Sequence, residues 1–163
     1  MNGNTIYLGI GSNLNRKHNI ISCLKFLSQS FQKYQISPIY ESPSFGFKSN
    51  DFYNCVVKIE TRFNLINLKK WLIKLEDLHG RDRSQPRYSN RTLDIDILLF
   101  NDWVGEFLGI KIPRNEILKQ AYVLKPLVDI AGNLKHPVTQ LSFRDHWYCL
   151  KKTSEYEINC IKL

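Results

Sequence analysis

Apolar positions along the first hundred residues follow two periods in turn, and the switches between them mark successive elements. Ile6-Tyr7-Leu8-Gly9-Ile10-Gly11 is an apolar run of strand length, and Ser12-Asn13-Leu14-Asn15 brings turn and helix-cap chemistry behind it. Ile20, Ile21, Leu24, Leu27 and Phe31 then recur at three to four, which predicts a helix from about His18 to Lys33. Gln35 to Tyr40 reads as a second strand, and Pro38, which has no N–H to give a ladder, assigns it to a sheet edge. After the polar and aromatic loop Ser42 to Asp51 comes a strand from Phe52 to Thr61. Leu68, Trp71, Leu72, Leu75 and Leu78 next predict a helix over Ile66 to His79, with Gly80 where a helix stop belongs. The apolar run Leu93 to Phe100 is a last strand.

The order βαββαβ is that of the ferredoxin-like core, an α+β class in which helices pack on one face of an antiparallel sheet. The other face needs cover from the additional C-terminal elements. Ile112-Pro113, a short helical pattern from Glu116 to Tyr122, and Val123 to Leu127 are the candidates, with the tail from Asp145 to Leu163 as a further addition.

At 163 residues this is expected to be one domain, 1–163, with no internal repeat. No apolar stretch approaches a membrane span, and the polar residues ahead of Ile6 do not make a secretory signal. Cys23, Cys55, Cys149 and Cys160 are widely spaced with no CxxC pair, which excludes a zinc cluster or disulfide framework and fits reduced thiols in a cytoplasmic protein. The net charge of +8 favours an anionic partner. Most basic residues, from Arg16 to Lys33, Lys69 to Lys74 and at Lys151-Lys152, have the spacing of solvated helix faces.

One stretch departs from that pattern. Between Gly80 and Phe100, Arg81, Arg83, Arg87 and Arg91 crowd a turn-rich loop that leads directly into Asp94 and Asp96. Strand residues at i and i+2 share a face, so the two carboxylates point the same way, their Cβ atoms roughly 6 to 7 Å apart. Hard oxygen ligands at that separation suit Mg²⁺, which is commonly held by one or two carboxylates plus substrate phosphates. The arginines beside them are bidentate donors for phosphate oxygens.

Together with Gly9-Ile10-Gly11-Ser12-Asn13 and Tyr53-Asn54, the run Arg91-Thr92-Leu93-Asp94-Ile95-Asp96 closely resembles the hydroxymethyldihydropterin pyrophosphokinase family, from about Tyr7 to Ile130. The resemblance implies transfer of pyrophosphate from ATP to the hydroxymethyl group of a dihydropterin, a step in folate synthesis. It makes Asp94 and Asp96 ligands of two Mg²⁺ ions, and Arg81 and Arg91 catalytic beside them. It gives ATP contacts to Glu76, Arg83, Arg87, Tyr88, Arg91, Ile97 and Arg114; the alternating composition of the arginine loop suggests mobility, so Arg81 and Arg83 are expected to close over bound ATP. The pterin ring is implied to stack between Phe52 and Tyr122, with Asn54 reading its amide-like edge and Ser42, Pro43, Phe45 and Gly46 lining its pocket. The partners so implied are ATP and hydroxymethyl dihydropterin, acting on a monomer, with neither nucleic acid nor membrane.

The chain departs from the family mainly on the nucleotide side. Arg114-Asn115 stands where much of the family has His-Tyr, Gln120 replaces an arginine, and Tyr88-Ser89-Asn90 stands for Trp-Gly-Pro. Two other readings follow: a catalytically impaired relative that binds pterin, and an RNA-binding ferredoxin-like module, whose aromatic signature is missing here. Gly9 and Gly11 alone do not make a dinucleotide fingerprint, since the third glycine is absent.

Overall fold

A computed structural model of the chain describes residues 3–153 and 158–163. Strand β1 (Asn4–Ser12) leads to helix α1 (Arg16–Ser30), strands β2 (Tyr34–Ile36), β3 (Ile39–Ser42) and β4 (Phe52–Thr61), helix α2 (Leu65–Leu78) and strand β5 (Asp94–Phe100). A hairpin of β6 (Gly105–Phe107) and β7 (Ile110–Ile112) follows, then a 3-10 turn (Asn115–Leu118), helices α3 (Ala121–Ala131) and α4 (Phe143–Thr153), and strand β8 (Asn159–Ile161).

The main sheet runs β5-β1-β4-β3-β8, with β2 also on β4, and every pairing in it is antiparallel. This is the ferredoxin-like order predicted from the periodicity. One face buries Ile6, Leu8, Ile10, Val57, Ile59, Ile95 and Ile97 against Ile20, Leu27, Leu68, Leu72 and Leu75 of α1 and α2. The other buries Tyr7, Val56, Leu98 and Leu99 against Ile117, Leu124, Leu127 and Phe143. Among the described residues, helices therefore cover both faces of the sheet.

Several predicted boundaries move for local reasons. The strand expected over Gln35 to Tyr40 is broken in two, because the Ser37 hydroxyl occupies the N–H of Val56 where the ladder would continue, and Pro38 adds no donor. The helical pattern over Glu116 to Tyr122 divides into the 3-10 turn and the first turn of α3, and Val123 to Leu127 belong to that helix. The tail is α4, which packs Phe143 into the second core, followed by β8 on the edge of β3; residues 154–157 lie outside the described part. Asn15 takes a left-handed conformation at φ 45° and its side chain caps nothing, contrary to the cap expected there.

Candidate active site

The two aspartates owe their surroundings to strand register. On β1, Gly11 lies opposite Asp94 and Gly9 opposite Asp96, and Asn54 of β4 lies opposite Gly11. Directly opposed residues share a face, so Asp94, Gly11 and Asn54 form a row across three strands whose centre has no side chain. Two inter-strand steps span about 10 Å. The glycines leave just enough room: a Cβ on Gly11 would come within 3.0 Å of Asn54 Oδ1, and one on Gly9 within 3.1 Å of Leu98 Cδ2. Over this row opens a cavity of about 420 Å³. Its floor and walls bring together residues from six segments of the chain.

α2 ends in a hydrogen-bonded cap that aims the arginine loop. Gly80, at φ +74°, donates to Asp77 O at 3.0 Å, and the Arg81 N–H donates to Glu76 O at 3.2 Å, the paired bonds that a left-handed glycine permits. Arg81 consequently enters the cavity, 13% exposed, with its guanidinium 3.1 Å from Asp94. Its Nε is buried without a partner. Arg83 turns back on the helix to Glu76 and Asp77, both at 2.9 Å. Arg87 reaches Glu116 at 3.2 Å, and Arg114 sits 3.3 Å from Asp96.

Arg91 is spent on the loop itself. Its guanidinium donates to the carbonyls of Pro86 (2.6 Å), Arg87 (2.8 Å) and Asn90 (3.2 Å), and to the Ser89 hydroxyl. It is almost fully buried while doing so, and burial, then the neighbouring Arg81, lowers its pKa. Asn13 completes this arrangement: its Oδ1 accepts the Arg91 N–H at 2.7 Å while its Nδ2 donates to Asn90 Oδ1 and to Asn50 O. One buried amide thus ties β1 to both loops that rim the cavity.

At the far end of the row, Asn54 donates to the Ser42 hydroxyl at 2.8 Å, and Phe52, Pro43, Phe45 and Tyr122 line the wall. Burial, and after it Glu116 and Asp96, pushes the Tyr122 phenol up to about 12, so it stays a neutral phenol that can stack and hydrogen-bond. Asp96 is also shifted upward, by burial first and the Asp94 carboxylate second, against the pull of Arg114 and Lys69. Two carboxylates that resist sharing one negative site are suited to a divalent cation.

The profile of the 7,8-dihydro-6-hydroxymethylpterin-pyrophosphokinase (HPPK) family matches residues 7–132. The chain belongs to this family. Its relatives include a 2-amino-4-hydroxy-6-hydroxymethyldihydropteridine pyrophosphokinase from Aquifex aeolicus, 33% identical over 136 residues, a match covering 82% of this chain and 84% of that one. A folic acid synthesis protein from Dictyostelium discoideum is 33% identical over 141 residues, 85% of this chain, but the chain spans only 21% of its length. The crystal structure of an HPPK-DHPS chain in complex with substrates superposes with a TM-score of 0.72 over 94% of this chain and 44% of that one, at 13% identity, a likeness of fold.

Within the HPPK cavity of this chain the structure gathers Arg81, Arg83, Arg87, Tyr88, Arg91, Asp94, Asp96, Glu76 and Arg114 with Ser42, Pro43, Phe45, Phe52, Asn54 and Tyr122. Two residues implied by the resemblance lie off its lining. Ile97 is buried on the opposite face of β5, in the core beneath α1 and α2. Gly46, at φ +79°, stands behind the rim, where a Cβ would meet Tyr88 at 3.1 Å. Three further residues belong here: Asn13, which the sequence motif includes without a role, Lys69, expected on a solvated helix face, and Glu116. Glu116 carried no signal beyond an acidic residue in a short helical pattern.

Proposed function

We propose that this chain is one pyrophosphokinase domain that transfers a pyrophosphoryl group from ATP to the hydroxymethyl group of 6-hydroxymethyl-7,8-dihydropterin. The products are AMP and the pterin diphosphate, in folate synthesis. The observation that carries the reading is the single row Asp94–Gly11–Asn54, which puts a phosphate-handling end and a heterocycle-reading end about 10 Å apart in one cavity of about 420 Å³. We place the reaction in the cytoplasm, on a monomer; no described helix is long and apolar enough to cross a membrane.

Asp94 and Asp96 would hold Mg²⁺, two ions in the reading implied by the resemblance. Among the described residues no group of three or more His, Cys, Asp or Glu side chains is placed to hold a metal ion, so in this reading the remaining ligands are phosphate oxygens and water, as magnesium prefers. Bound there, the metal would supply neutralisation of phosphate charge. In the transfer, the hydroxymethyl oxygen bonds to the β-phosphorus, the bond from that phosphorus to the bridging α–β oxygen breaks, AMP departs with the electron pair, and the hydroxyl proton passes to solvent.

The protein's own part is positioning and charge. Asn54, held by Ser42, orients the pterin edge; Phe52 and Tyr122 supply stacking area. Arg81, already in the cavity, meets the phosphates, and Arg83 and Arg87 swing from their carboxylate partners to join it. Arg91 shapes the loop from which they act. No histidine lines the cavity, and the carboxylates there are taken up by the proposed metal or by arginines, so the reading assigns no side chain as general base. The test is pterin-dependent release of AMP from ATP with Mg²⁺. Wild type is expected to release it and Asp94→Ala and Asp96→Ala to fall at least about 100-fold, the several kcal/mol that charge stabilisation supplies; wild type releasing none would end the assignment.

A further inference from the structure

Arg87 and Arg114 come from separate segments, the arginine loop and the residue ahead of the 3-10 turn, and one carboxylate holds both. Arg87 Nη2 donates to Glu116 Oε1 at 3.2 Å, and Arg114 Nε lies 3.4 Å from Glu116 Oε2. Glu116 itself is firmly placed: its carbonyl accepts the N–H groups of Lys119 and Gln120, and Ile117 beside it is fully buried. Arg87 is the loose member, with a side chain 73% exposed, and among the described residues Glu116 is its ionic partner. Arg114 has a second anchor, Asp96 at 3.3 Å.

A carboxylate lining a cavity meant for a polyanion repels it unless its charge is already taken up. Glu116 presents its two oxygens to two guanidiniums as a phosphate group would, hydrogen-bonded to Arg87 and paired with Arg114 by charge alone, since Arg114 Nε makes no hydrogen bond. We propose that Glu116 is a positioning residue that stands in for nucleotide phosphate before ATP arrives, holding Arg87 across the cavity mouth, and that it surrenders Arg87 to phosphate on binding while keeping Arg114 beside Asp96. The inference rests on the ATP site proposed above. The pair that breaks is the exposed one, because a solvent-exposed ion pair is the weaker of the two, and Arg114 remains between Glu116 and Asp96. Binding therefore exchanges one anion for another at Arg87, and part of the nucleotide's binding energy goes into that exchange.

The experiment is calorimetric binding of the non-cleavable ATP analogue with a methylene between α- and β-phosphorus, with Mg²⁺, to wild type, Glu116→Gln, Arg87→Ala and the double variant. An exposed ion pair sets the scale, so Glu116→Gln is expected to bind about 2- to 5-fold more tightly, and the gain should largely vanish in the Arg87→Ala background. Limited proteolysis of the ligand-free protein gives a second readout: cutting within 82–90 should rise at least about threefold in Glu116→Gln and fall again with the analogue. Glu116→Ala serves as the second charge-free variant. Weaker binding by Glu116→Gln, an equal gain in the Arg87→Ala background, or unchanged cutting would overturn the proposal. Wild type that fails to bind the analogue would instead overturn the ATP site, a result distinct from wild type that binds while Glu116→Gln behaves identically.

Discussion

Glu76 accepts the backbone N–H of Ile95 at 2.8 Å, so a buried helix carboxylate fixes the peptide between the two aspartates. β5 lies at one end of the sheet, and among the described residues no strand pairs with its outer edge. Glu76 takes one of the N–H groups on that edge, and the Arg114 N–H donates to Leu98 O further along. The other Glu76 oxygen pairs with Arg83, so the same side chain links the arginine loop to the strand that carries Asp94 and Asp96.

Removal of that carboxylate should therefore cost stability as well as activity. Glu76→Ala leaves a buried donor unpaired, and hydrogen bonds to charged groups are worth about 1.5–3 kcal/mol, which is the expected loss in urea denaturation. Glu76→Gln keeps an acceptor for Ile95 and should lose distinctly less. Equal losses in the two variants would show that the Ile95 bond is not what matters.

The heterocycle end should be separable from the phosphate end. Phe52→Ala is expected to weaken pterin binding by about 10-fold or more, on the scale of a lost aromatic stacking face, while changing ATP binding little. Gly11→Ala pushes on Asn54 Oδ1, 3.0 Å from the new methyl, and should show the same selectivity. Titration of each variant with each ligand checks this; equal weakening of both ligands would count against two distinct ends.

A pH dependence should arise far from the cavity. His136 is buried, its Nδ1 accepts the N–H groups of Val138 and Thr139, and His146 lies 5.7 Å away ring to ring. Burial, then His146, lowers the His136 pKa; burial lowers that of His146, with Asp145 opposing. Below about pH 6.5 the unfolded chain therefore binds protons that the folded chain refuses, so stability is complete above that pH and declines as pH falls through it. Each histidine can contribute at most about 1.4 kcal/mol per pH unit. His136→Asn, which retains an acceptor, should flatten the slope measured by denaturation between pH 7.5 and 5.5; an unchanged slope would assign it elsewhere.

The four thiols should divide evenly in reactivity. Cys149 and Cys160 are exposed, whereas Cys23 and Cys55 are buried, and burial pushes the Cys55 thiol up to about 12 and that of Cys23 well above its usual value. A thiol-specific disulfide reagent is expected to modify two groups quickly in the native protein and the other two only on unfolding. Four fast equivalents would contradict the burial.

Sequence periodicity carried the ferredoxin-like core because local apolar spacing and sheet topology agree there: α1, α2, β1, β4 and β5 each fall within a few residues of their predicted places. It carried less after Phe100, where the β6–β7 hairpin has no alternating pattern long enough to read, and where β8 is three residues stabilised by pairing with β3. The arginines and aspartates were legible because their chemistry is concentrated in one stretch of chain.

What that stretch could not disclose is which charge faces which. Local spacing alone carried the Gly9–Gly11 pair on β1, the paired carboxylates on one strand face and the arginine-rich loop beside them, whereas the row that joins Asp94, Gly11 and Asn54 came from strand register. Strand alternation already turns Ile97 away from Asp94 and Asp96, but folding alone brought Asn13 and Glu116 to the rim they tie together. Those partners lie 29 to 78 residues apart for the Arg87–Glu116 and Asn13–Arg91 contacts, and no local spacing encodes a contact that folding alone brings within hydrogen-bonding distance.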